Sequence, residues 1–399
     1  MTGGLPGSPG RHRRAAIIVL DGLGIGPAHD TDQYGDTGSD TLGNVARAVG
    51  GLRLPNLEAL GLGCCAPLPG LRAVPAPQAA YGICQPASAG KDSSTGHWEI
   101  CGVLLPRPFP TYPGGFPAAL IGEFSRRTRR GVVGNRTASG TAILEQLGEQ
   151  HLRTGDWIVY TSADSVFQLA AHEEVVPLEE LYAACAVARE LLTGAHSVAR
   201  VIARPFRGGP GSWKRTANRR DLSLAPPGAT LLDRLAERGI PRIGIGKVDD
   251  LFAGRSITSV HTATNAEAFR RIEAAVAEME WGLLLANVIE FDQTWGHRND
   301  VPGFHRGLQE LDAAVPGLVG RAGDQDLIIF TADHGNDPTT PSTDHSREVV
   351  PLLVLGPRVR AVPLGTRQTF ADIGQTVAEF LGAVPLAAGT SFLGEIWNG

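Results

Sequence analysis

Short apolar runs alternate with segments of helical periodicity along almost the whole chain, and this alternation strongly constrains the fold. The runs are rich in aliphatic residues and too short for helices, so each predicts a buried strand. Strands that alternate with helices form largely parallel sheets covered by helices, so the pattern predicts an α/β fold. Helical periodicity is clearest at 178–192, 264–279 and 371–381. The predicted strands are 15–20, 156–160, 198–204, 241–246, 283–291, 326–332 and 349–355.

The length predicts more than one structural unit. A chain of 399 residues is too long for one typical domain and indicates two domains, or one large domain with an insertion. The hydrophobic content of 42% supports substantial buried cores. Residues 103–118 and 205–228 are rich in proline, glycine and polar residues, which is typical of connectors between lobes.

Charge and cysteine content limit the class of function. A formal charge of -5 and a pI near 6.1 argue against nucleic acid as the main partner. No apolar run approaches the roughly 20 residues of a membrane span. The five cysteines are odd in number and lack C-x-x-C spacing, which predicts reduced thiols and a cytoplasmic protein. The apolar run 15–20 is too short for a signal peptide, so we expect a frayed arm followed by the first strand.

Three predicted strands lead into an aspartate. The first strand runs into Asp21, another into Asp292 and a third into Asp333. In a parallel α/β sheet the carboxyl ends of the strands meet at the ligand-binding edge. Three carboxylates at one edge would repel one another unless positive charge lay between them.

Three histidines follow these acids closely in sequence, namely His297, His334 and His345. Carboxylate and imidazole ligands suit Mn²⁺ or Zn²⁺, and two such ions about 3.5–4 Å apart can clamp the oxygens of a phosphoryl transfer. Taken singly, Asp21-Gly22 could be a turn, and the triplet at 333–335 a strand-end turn with a helix cap. The coincidence of residue type and position favours a two-metal centre. The remaining histidines are interpreted as surface or packing residues, including His12, His29, His151, His196, His261 and His305.

The stretch G-K-D-S-S-T-G-H-W-E-I at 90–100 places three hydroxyls beside charged residues. Alone it is typical of a solvated turn. Beside a metal centre, one hydroxyl would become a nucleophile towards phosphorus. The residues leave open which of Ser93, Ser94 and Thr95 this is.

Eight stretches carry a family resemblance. They are D-G-L-G-I-G (21–26), G-S-D-T-L-G-N (38–44), G-K-D-S-S-T-G-H-W-E (90–99), T-Y-P-G-G-F-P (111–117), G-N-R-T-A-S-G-T (134–141), Y-T-S-A-D-S-V-F-Q-L-A-A-H-E-E (160–174), F-D-Q-T-W-G-H-R-N-D (291–300) and T-A-D-H-G-N-D-P-T-T-P-S-T-D-H-S-R-E (331–348). Almost end to end, the chain resembles the phosphopentomutase family of the alkaline phosphatase superfamily. The resemblance implies an alkaline-phosphatase-like core at 1–105 and 222–399, and an inserted α/β cap domain at 106–221.

The resemblance also implies residue roles. One manganese would be held by Asp292, His297 and His345, and the other by Asp21, Asp333 and His334. The nucleophile would be Ser93, although the common family pattern has threonine there. This departure keeps the hydroxyl and removes a methyl group, so the chemistry should survive while rate or rotamer control could differ.

Substrate contacts are implied in the same way. Asp164 ends a predicted strand and on sequence alone resembles a seventh metal ligand, but the family places it in the cap, where it and Ser162 would bind sugar hydroxyls. Arg200 and Lys247 would hold the distal phosphate of the substrate. Arg204 and Arg207 lie close to Arg200, so the choice of Arg200 depends on the family, and a solvated basic face is the alternative.

The implied reaction interconverts ribose 1-phosphate and ribose 5-phosphate, or their 2-deoxyribose equivalents, through phosphorylated Ser93 and a pentose bisphosphate. The expected cofactors are two Mn²⁺ per chain, with glucose 1,6-bisphosphate or ribose 1,5-bisphosphate as activator. Pentose phosphates would be the only partners, with a monomer favoured and the oligomeric state open. The alternatives are a metal-dependent phosphatase or phosphodiesterase, the related phosphoglycerate mutase, and a non-catalytic metal-binding protein.

Overall fold

A computed structural model describes residues 13–162 and 164–398. The predicted N-terminal arm and His12 fall almost wholly outside these residues. The chain divides into a larger unit, up to Arg107 and from Pro226 onwards, and a smaller unit, Pro108–Ala225. Among the described residues, no helix has the length and apolar character that crossing a bilayer requires.

Strands within the described residues belong to two sheets, one in each unit. In chain order they are β1 (Arg14–Leu20), β2 (Ala80–Cys84), β3 (Val132–Thr137), β4 (Trp157–Thr161), β5 (Val166–His172), β6 (Arg200–Arg207), β7 (Lys214–Arg215), β8 (Arg220–Ser223), β9 (Arg242–Ile245), β10 (Ser259–Val260), β11 (Gly282–Val288), β12 (Asp326–Thr331), β13 (Val350–Leu355) and β14 (Pro363–Arg367).

Helices separate most of these strands. In chain order they are α1 (Thr41–Ala48), α2 (Pro55–Leu60), α3 (Leu62–Cys65), α4 (Ser93–Ile100), α5 (Ala118–Thr128), α6 (Gly140–Thr154), α7 (Leu178–Leu191), α8 (Leu231–Glu237), α9 (Val248–Leu251), α10 (Asn265–Glu278), α11 (Val301–Gly320), α12 (Ala371–Leu381) and α13 (Leu393–Ile396). Short 3₁₀ turns lie at 31–34, 194–196 and 296–298, and a π-helical turn lies at 291–295.

The larger sheet has the strand order β10-β9-β11-β1-β12-β13-β2-β14. Its pairs are parallel except where β13 meets β12 and β2. β1 lies between β11 and β12 in parallel register, with Leu20 opposite Val288 and Val19 opposite Thr331. The carboxyl ends of these three strands therefore meet at one edge. The predicted α/β class, with a mostly parallel sheet flanked by helices, is confirmed.

The core of the larger unit explains why these strands read as continuous apolar runs. β11 and β12 are buried along their whole lengths, and β1 from its second residue onwards. α10 contacts β11, and α12 contacts β1. Side chains on both faces of the central strands are therefore apolar, as in parallel sheets covered by helices.

The smaller unit has its own mixed sheet, with the order β3-β4-β5-β6-β7 and with β8 also paired to β6. Residues of α5 and α7 share one apolar cluster with strand residues, and residues of α6 share another. The stretch 205–228, predicted as a connector, contains the end of β6 together with β7 and β8. Its polar composition reflects exposed short strands at the edge of this sheet rather than a lack of structure.

Candidate active site

The N-terminus of α4 positions the hydroxyl-rich stretch. Asp92 caps the helix by accepting a hydrogen bond from the Thr95 amide at 3.1 Å, and its other oxygen accepts from the Thr95 hydroxyl. Ser93, the first helical residue, directs its hydroxyl away from this cap. The Ser93 Oγ donates to Asp21 Oδ1 at 3.2 Å and lies 3.3 Å from His334 Nε2. Ser93 is thus brought to the predicted metal ligands, whereas Thr95 is engaged by the cap.

The three aspartates reach one edge of the sheet by different local routes. Asp21 directly follows β1, and Asp333 follows β12 after one residue. The predicted strand 283–291 ends at Val288, so Asp292 lies in the π-helical turn after β11. All three carboxylates are buried.

Glycines allow this close approach. Gly22 has φ +80°, and a Cβ there would lie 3.2 Å from Asp292 Cβ. A Cβ on Gly96 of α4 would lie 2.2 Å from the Asp333 carbonyl oxygen. Glycine at these positions lets the nucleophile helix and the aspartate-bearing loops come within direct contact.

Asp21, Asp333 and His334 form what we call the inner group. His334 Nε2 lies 3.3 Å from Asp21 Oδ1 and 3.4 Å from Asp333 Oδ2. One ligand atom from each residue falls within 4.8 Å of the others, close enough to hold one metal ion. His334 Nδ1 is 3.0 Å from the Gly335 carbonyl, a contact that leaves Nε2 to face the carboxylates.

Asp292, His297 and His345 form the outer group. Asp292 Oδ1 lies 3.3 Å from His345 Nε2, and Asp292 Oδ2 lies 3.3 Å from His297 Nε2. Ligand atoms of Asp292, His345 and His334, rather than His297, lie within 4.8 Å of one another. The rings of His334 and His345 are 4.3 Å apart between centroids, so the two groups form one acid–histidine cluster.

The electrostatics of the cluster show mutual compensation. Burial favours the neutral acids, but Lys247 and then His334 lower the pKa of Asp21. Burial likewise opposes ionisation of Asp292, yet its neighbours His345 and His297 hold its pKa well below the usual range. Both carboxylates are therefore ionised at neutral pH.

The histidines respond in the opposite direction. Burial disfavours the cation, but Asp333 and Asp21 raise the pKa of His334 to about 10. Asp292 raises the pKa of His297 to about 9 against the same penalty. In the metal-free chain, protonated imidazoles thus supply the positive charge that the buried carboxylates require.

The donor set fits divalent cations. Asp333 Oδ2 is buried and accepts no hydrogen bond among the described residues, so it has a lone pair directed into the inner group. Carboxylate and imidazole donors without thiolate match Mn²⁺ or Zn²⁺. A bound cation would replace the imidazole protons as the source of positive charge.

Lys247 lies in this cluster. The resemblance implied that it holds the distal phosphate, but its Nζ is 2.9 Å from Asp21 Oδ2. The same carboxylate accepts the Ser93 hydroxyl through its other oxygen. Burial opposes the ammonium charge, and Asp21 more than compensates, raising the pKa of Lys247.

The predicted contacts to the sugar lie in the smaller unit and are more open. Ser162 Oγ is 3.5 Å from Asp164 Oδ2, and the Asp164 side chain is exposed. Arg200 lies at the start of β6, 3.9 Å from Asp221. Ser162, Asp164 and Arg200 are called the substrate-contact group below.

The other β6 arginines differ in their partners. Arg207 is exposed, and its Nε donates to Glu173 at 2.6 Å. Arg204 is half-buried and donates to Gln168 at 3.1 Å, and burial together with nearby Arg219 lowers its pKa. Arg207 is thus already engaged by an acid, whereas Arg204 donates to a neutral amide and has another arginine nearby.

Two amide side chains next to the cluster were missed by reasoning from sequence. Asn336 Nδ2 donates to Asp292 Oδ1 at 2.8 Å. Asn287 Nδ2 donates to Asp21 Oδ2 at 3.1 Å and lies 3.3 Å from His97 Nε2. Neutral amides give no charge pattern in sequence, so only the three-dimensional contacts identify them.

Two other described histidines, His151 and His261, lie outside the cluster. His151 is buried in the smaller unit, where its Nδ1 is 2.6 Å from the Asp156 carbonyl. His261 was interpreted as a surface or packing residue, and its Nε2 lies 2.7 Å from Asp249 Oδ1 at the surface. Together with Asp250 this makes an exposed acidic group that lacks the burial of the inner group.

Comparison with known proteins places the chain in a family. A family model described as the metalloenzyme superfamily matches residues 13–385. The chain is 53% identical over 386 residues to the phosphopentomutase of Carboxydothermus hydrogenoformans, covering 96% of this chain and 99% of that protein. It is 53% identical over 389 residues to the phosphopentomutase of Dictyoglomus thermophilum, covering 97% and 99%. The phosphopentomutase of Anaeromyxobacter dehalogenans is 53% identical over 387 residues, covering 96% and 99%. The chain therefore belongs to the phosphopentomutase family of the metalloenzyme superfamily.

Proposed function

We propose that the chain is an isomerase that interconverts ribose 1-phosphate and ribose 5-phosphate, with Ser93 as the phosphate carrier. The reaction class is supported by sequence identity of 53% to phosphopentomutases over nearly their full length. The contact of Ser93 with Asp21 and His334 supports the choice of nucleophile. The 2-deoxyribose phosphates belong to the same substrate class, and the cytoplasm remains the predicted location.

The inner and outer groups would hold two divalent cations, which we propose to be Mn²⁺. When bound, these ions would neutralise the buried carboxylates and the developing charge on a phosphoryl group. The nearby lysine would add a protein cation, since Lys247 Nζ is 2.9 Å from the carboxylate that also binds the nucleophile. We therefore propose that Lys247 contacts the phosphoryl group at Ser93 rather than the distal phosphate.

The chain's own residues prepare Ser93 for transfer. Asp21 Oδ1 accepts the hydroxyl hydrogen and so orients the oxygen lone pairs. A phosphoryl group on Ser93 would lie at the N-terminus of α4, where the helix dipole favours an anion. Phosphoryl transfer needs mainly positioning and charge neutralisation, and this arrangement provides both.

Residues of the smaller unit would bind the distal end of the substrate. We propose that Asp164 and Ser162 bind sugar hydroxyls, with Arg200 or Arg204 at the distal phosphate. Arg207 is a weaker candidate because Glu173 already binds it. A bisphosphate of glucose or ribose would first transfer one phosphoryl group to Ser93 and leave as the monophosphate. Phosphorylated Ser93 would then pass this group to a pentose monophosphate, and the pentose bisphosphate so formed would return its other phosphoryl group to Ser93.

The test incubates the protein with Mn²⁺, ribose 5-phosphate and a trace of glucose 1,6-bisphosphate, and measures ribose 1-phosphate and free phosphate. We expect ribose 1-phosphate to reach equilibrium with little free phosphate. Ser93→Ala should abolish turnover and radiolabelling of the protein by the bisphosphate. Ser94→Ala, which removes the adjacent hydroxyl, is the matched control and should retain both.

A different product would identify the alternative reaction. Free phosphate without ribose 1-phosphate would indicate a metal-dependent phosphatase, which would use the same acid–histidine cluster. Labelling that survives in Ser93→Ala would overturn the assignment of the nucleophile. These two outcomes separate the reaction class from the residue that carries the phosphate.

A further inference from the structure

A buried pair, His97 and Asn287, connects the nucleophile helix to both carboxylates of the inner group. His97 lies on α4, one helical turn after Ser93, and its side chain is fully buried. Asn287 lies on β11, next to β1, and is also fully buried. Neither residue is a ligand in the groups described above.

Hydrogen bonds fix the orientation of the amide. Asn287 Nδ2 has two hydrogens, and it lies 3.1 Å from Asp21 Oδ2 and 3.3 Å from His97 Nε2. Rotating the amide would turn its oxygen towards the ionised Asp21, which would be repulsive. The charge of Asp21 therefore holds Asn287 with its amino group facing both neighbours.

The amide in turn fixes the imidazole. Because the Asn287 amide donates to it, His97 Nε2 is the acceptor of this contact, and Nδ1 is the ring nitrogen left to donate. That Nδ1 lies 2.9 Å from the Ser93 carbonyl oxygen and 3.0 Å from Asp333 Oδ2. The hydrogen bond to the Ser93 carbonyl leaves Asp333 Oδ2 without a donor, as the structure records.

We propose that His97 and Asn287 act as a positioning pair, which holds Asp21 and the first turn of α4 in one arrangement before metal binds. His97 contacts the backbone carbonyl of Ser93 and not its hydroxyl, so it acts on the reaction only through other residues. Residues that hydrogen-bond to metal ligands orient those ligands, and losing such a residue weakens metal binding. The inference rests on the proposed metal site.

The test measures Mn²⁺ affinity by isothermal titration calorimetry for the wild type, His97→Asn, Asn287→Ala and the double variant. His97→Asn keeps a short side-chain donor but removes the Nε2 acceptor. Each single substitution should weaken Mn²⁺ binding about 10- to 100-fold. The double variant should lose little more than the weaker single variant, because the two residues act as one unit.

The control is His151→Asn in the smaller unit. His151 is a buried histidine with the same hydrogen-bonding pattern, since Nδ1 faces the Asp156 carbonyl and Nε2 accepts from the His172 amide. This substitution should lower the melting temperature while leaving Mn²⁺ affinity unchanged. Circular dichroism and melting in EDTA establish which variants are folded. If His97→Asn does not fold, the test compares the Mn²⁺ affinity of Asn287→Ala with that of the wild type.

The possible results separate the positioning pair from the metal site on which it rests. Wild-type Mn²⁺ affinity in a folded His97→Asn or Asn287→Ala variant would overturn the positioning pair while leaving the metal site intact. Losses that add in the double variant would also overturn it, because the residues would then act separately. A wild-type protein that binds no Mn²⁺ would overturn the proposed metal site and the pair with it.

Discussion

The acid–histidine cluster of the larger unit and the substrate-contact group of the smaller unit differ in burial and in partners. Asp21 and Asp333 have fully buried side chains with polar neighbours that fix them. Asp164 is exposed, and its 3.5 Å contact with Ser162 is at the limit of a hydrogen bond. The free chain thus prearranges its proposed metal ligands, whereas it leaves the predicted sugar contacts to be ordered by the substrate.

This difference has a physical basis. Buried carboxylates are tolerated only with compensating positive charge, so their geometry must be built into the fold. Side chains that contact a diffusible sugar must stay accessible so that substrate can enter and product can leave. Removing a residue of the cluster should therefore lower both Mn²⁺ affinity and catalysis, whereas removing a residue of the substrate-contact group should lower catalysis alone.

The largest expected effect comes from breaking the cluster. Asp333→Asn removes one negative charge and weakens a ligand of the inner group with almost no change in shape. We expect a loss of both Mn²⁺ affinity and kcat/KM, the latter by about 10³-fold or more, since metal stabilisation is worth several kcal/mol. Calorimetric titration and the mutase assay measure the two quantities.

Asp312→Asn is the matched control for this prediction. Asp312 is another buried aspartate of the larger unit, but it binds the Leu57 amide and Asn56 instead of the cluster. It should lower stability and leave Mn²⁺ affinity intact. Full Mn²⁺ affinity in Asp333→Asn would contradict the role of the cluster as the metal centre.

The next effect concerns pH and the metal-free protein. The pKa of His334 is raised from 6.5 to about 10 and that of His297 to about 9, so their folded forms bind protons more tightly than the unfolded chain. This stabilisation is complete below pH 6.5 and is lost as pH rises through about 9 to 10. We expect the EDTA-treated protein to lose a few kcal/mol of stability across that range.

Metal binding should reverse this trend. Mn²⁺ takes the place of the imidazole protons, so its affinity should increase over the same rise in pH. Melting temperatures at several pH values, with EDTA and with Mn²⁺, test both statements. A flat melting temperature for the metal-free protein between pH 6.5 and 9 would show that the histidines are not charged partners of the aspartates.

The sequence alone predicts the acid–histidine cluster better than its surroundings. Asp21 and Asp333 follow strands that can be recognised from composition, and parallel strands must end at a common edge. Asp292 lies in a π-helical turn, which cannot be predicted from the apolar run before it. The pairing of Lys247 with Asp21 was not predicted either, because it depends on contacts between distant segments.

Secondary structure was also predicted only where the local sequence pattern is strong. The predicted strands are confirmed because each is centred on aliphatic or aromatic residues, but β2 was missed, since Gly82 interrupts its short apolar run. The pair of His97 and Asn287 was missed for a further reason. Its hydrogen bonds join residues that are 190 positions apart, and no local pattern encodes such a contact.

A moderate effect is expected in the smaller unit. Asp164→Ala removes a charged acceptor, and hydrogen bonds to charged groups contribute about 1.5–3 kcal/mol. The kcat/KM for ribose 5-phosphate should therefore fall about 10- to 100-fold, with Mn²⁺ affinity unchanged. Glu174→Ala, which removes another exposed acid of the same unit, should change neither. A loss of bound Mn²⁺ in Asp164→Ala would mean that Asp164 is a metal ligand after all.

The smallest effect concerns the departure of this chain from the family pattern at its nucleophile. Ser93→Thr keeps the hydroxyl that contacts Asp21 and His334 and adds one methyl group at the first turn of α4. Because β-branching restricts the side-chain rotamer without removing the oxygen, we expect kcat within about threefold of wild type. Ser94→Thr adds the same methyl beside the cluster and controls for helix packing. A loss of kcat confined to Ser93→Thr, with Mn²⁺ affinity retained, would show that the inner group of this chain is shaped around serine.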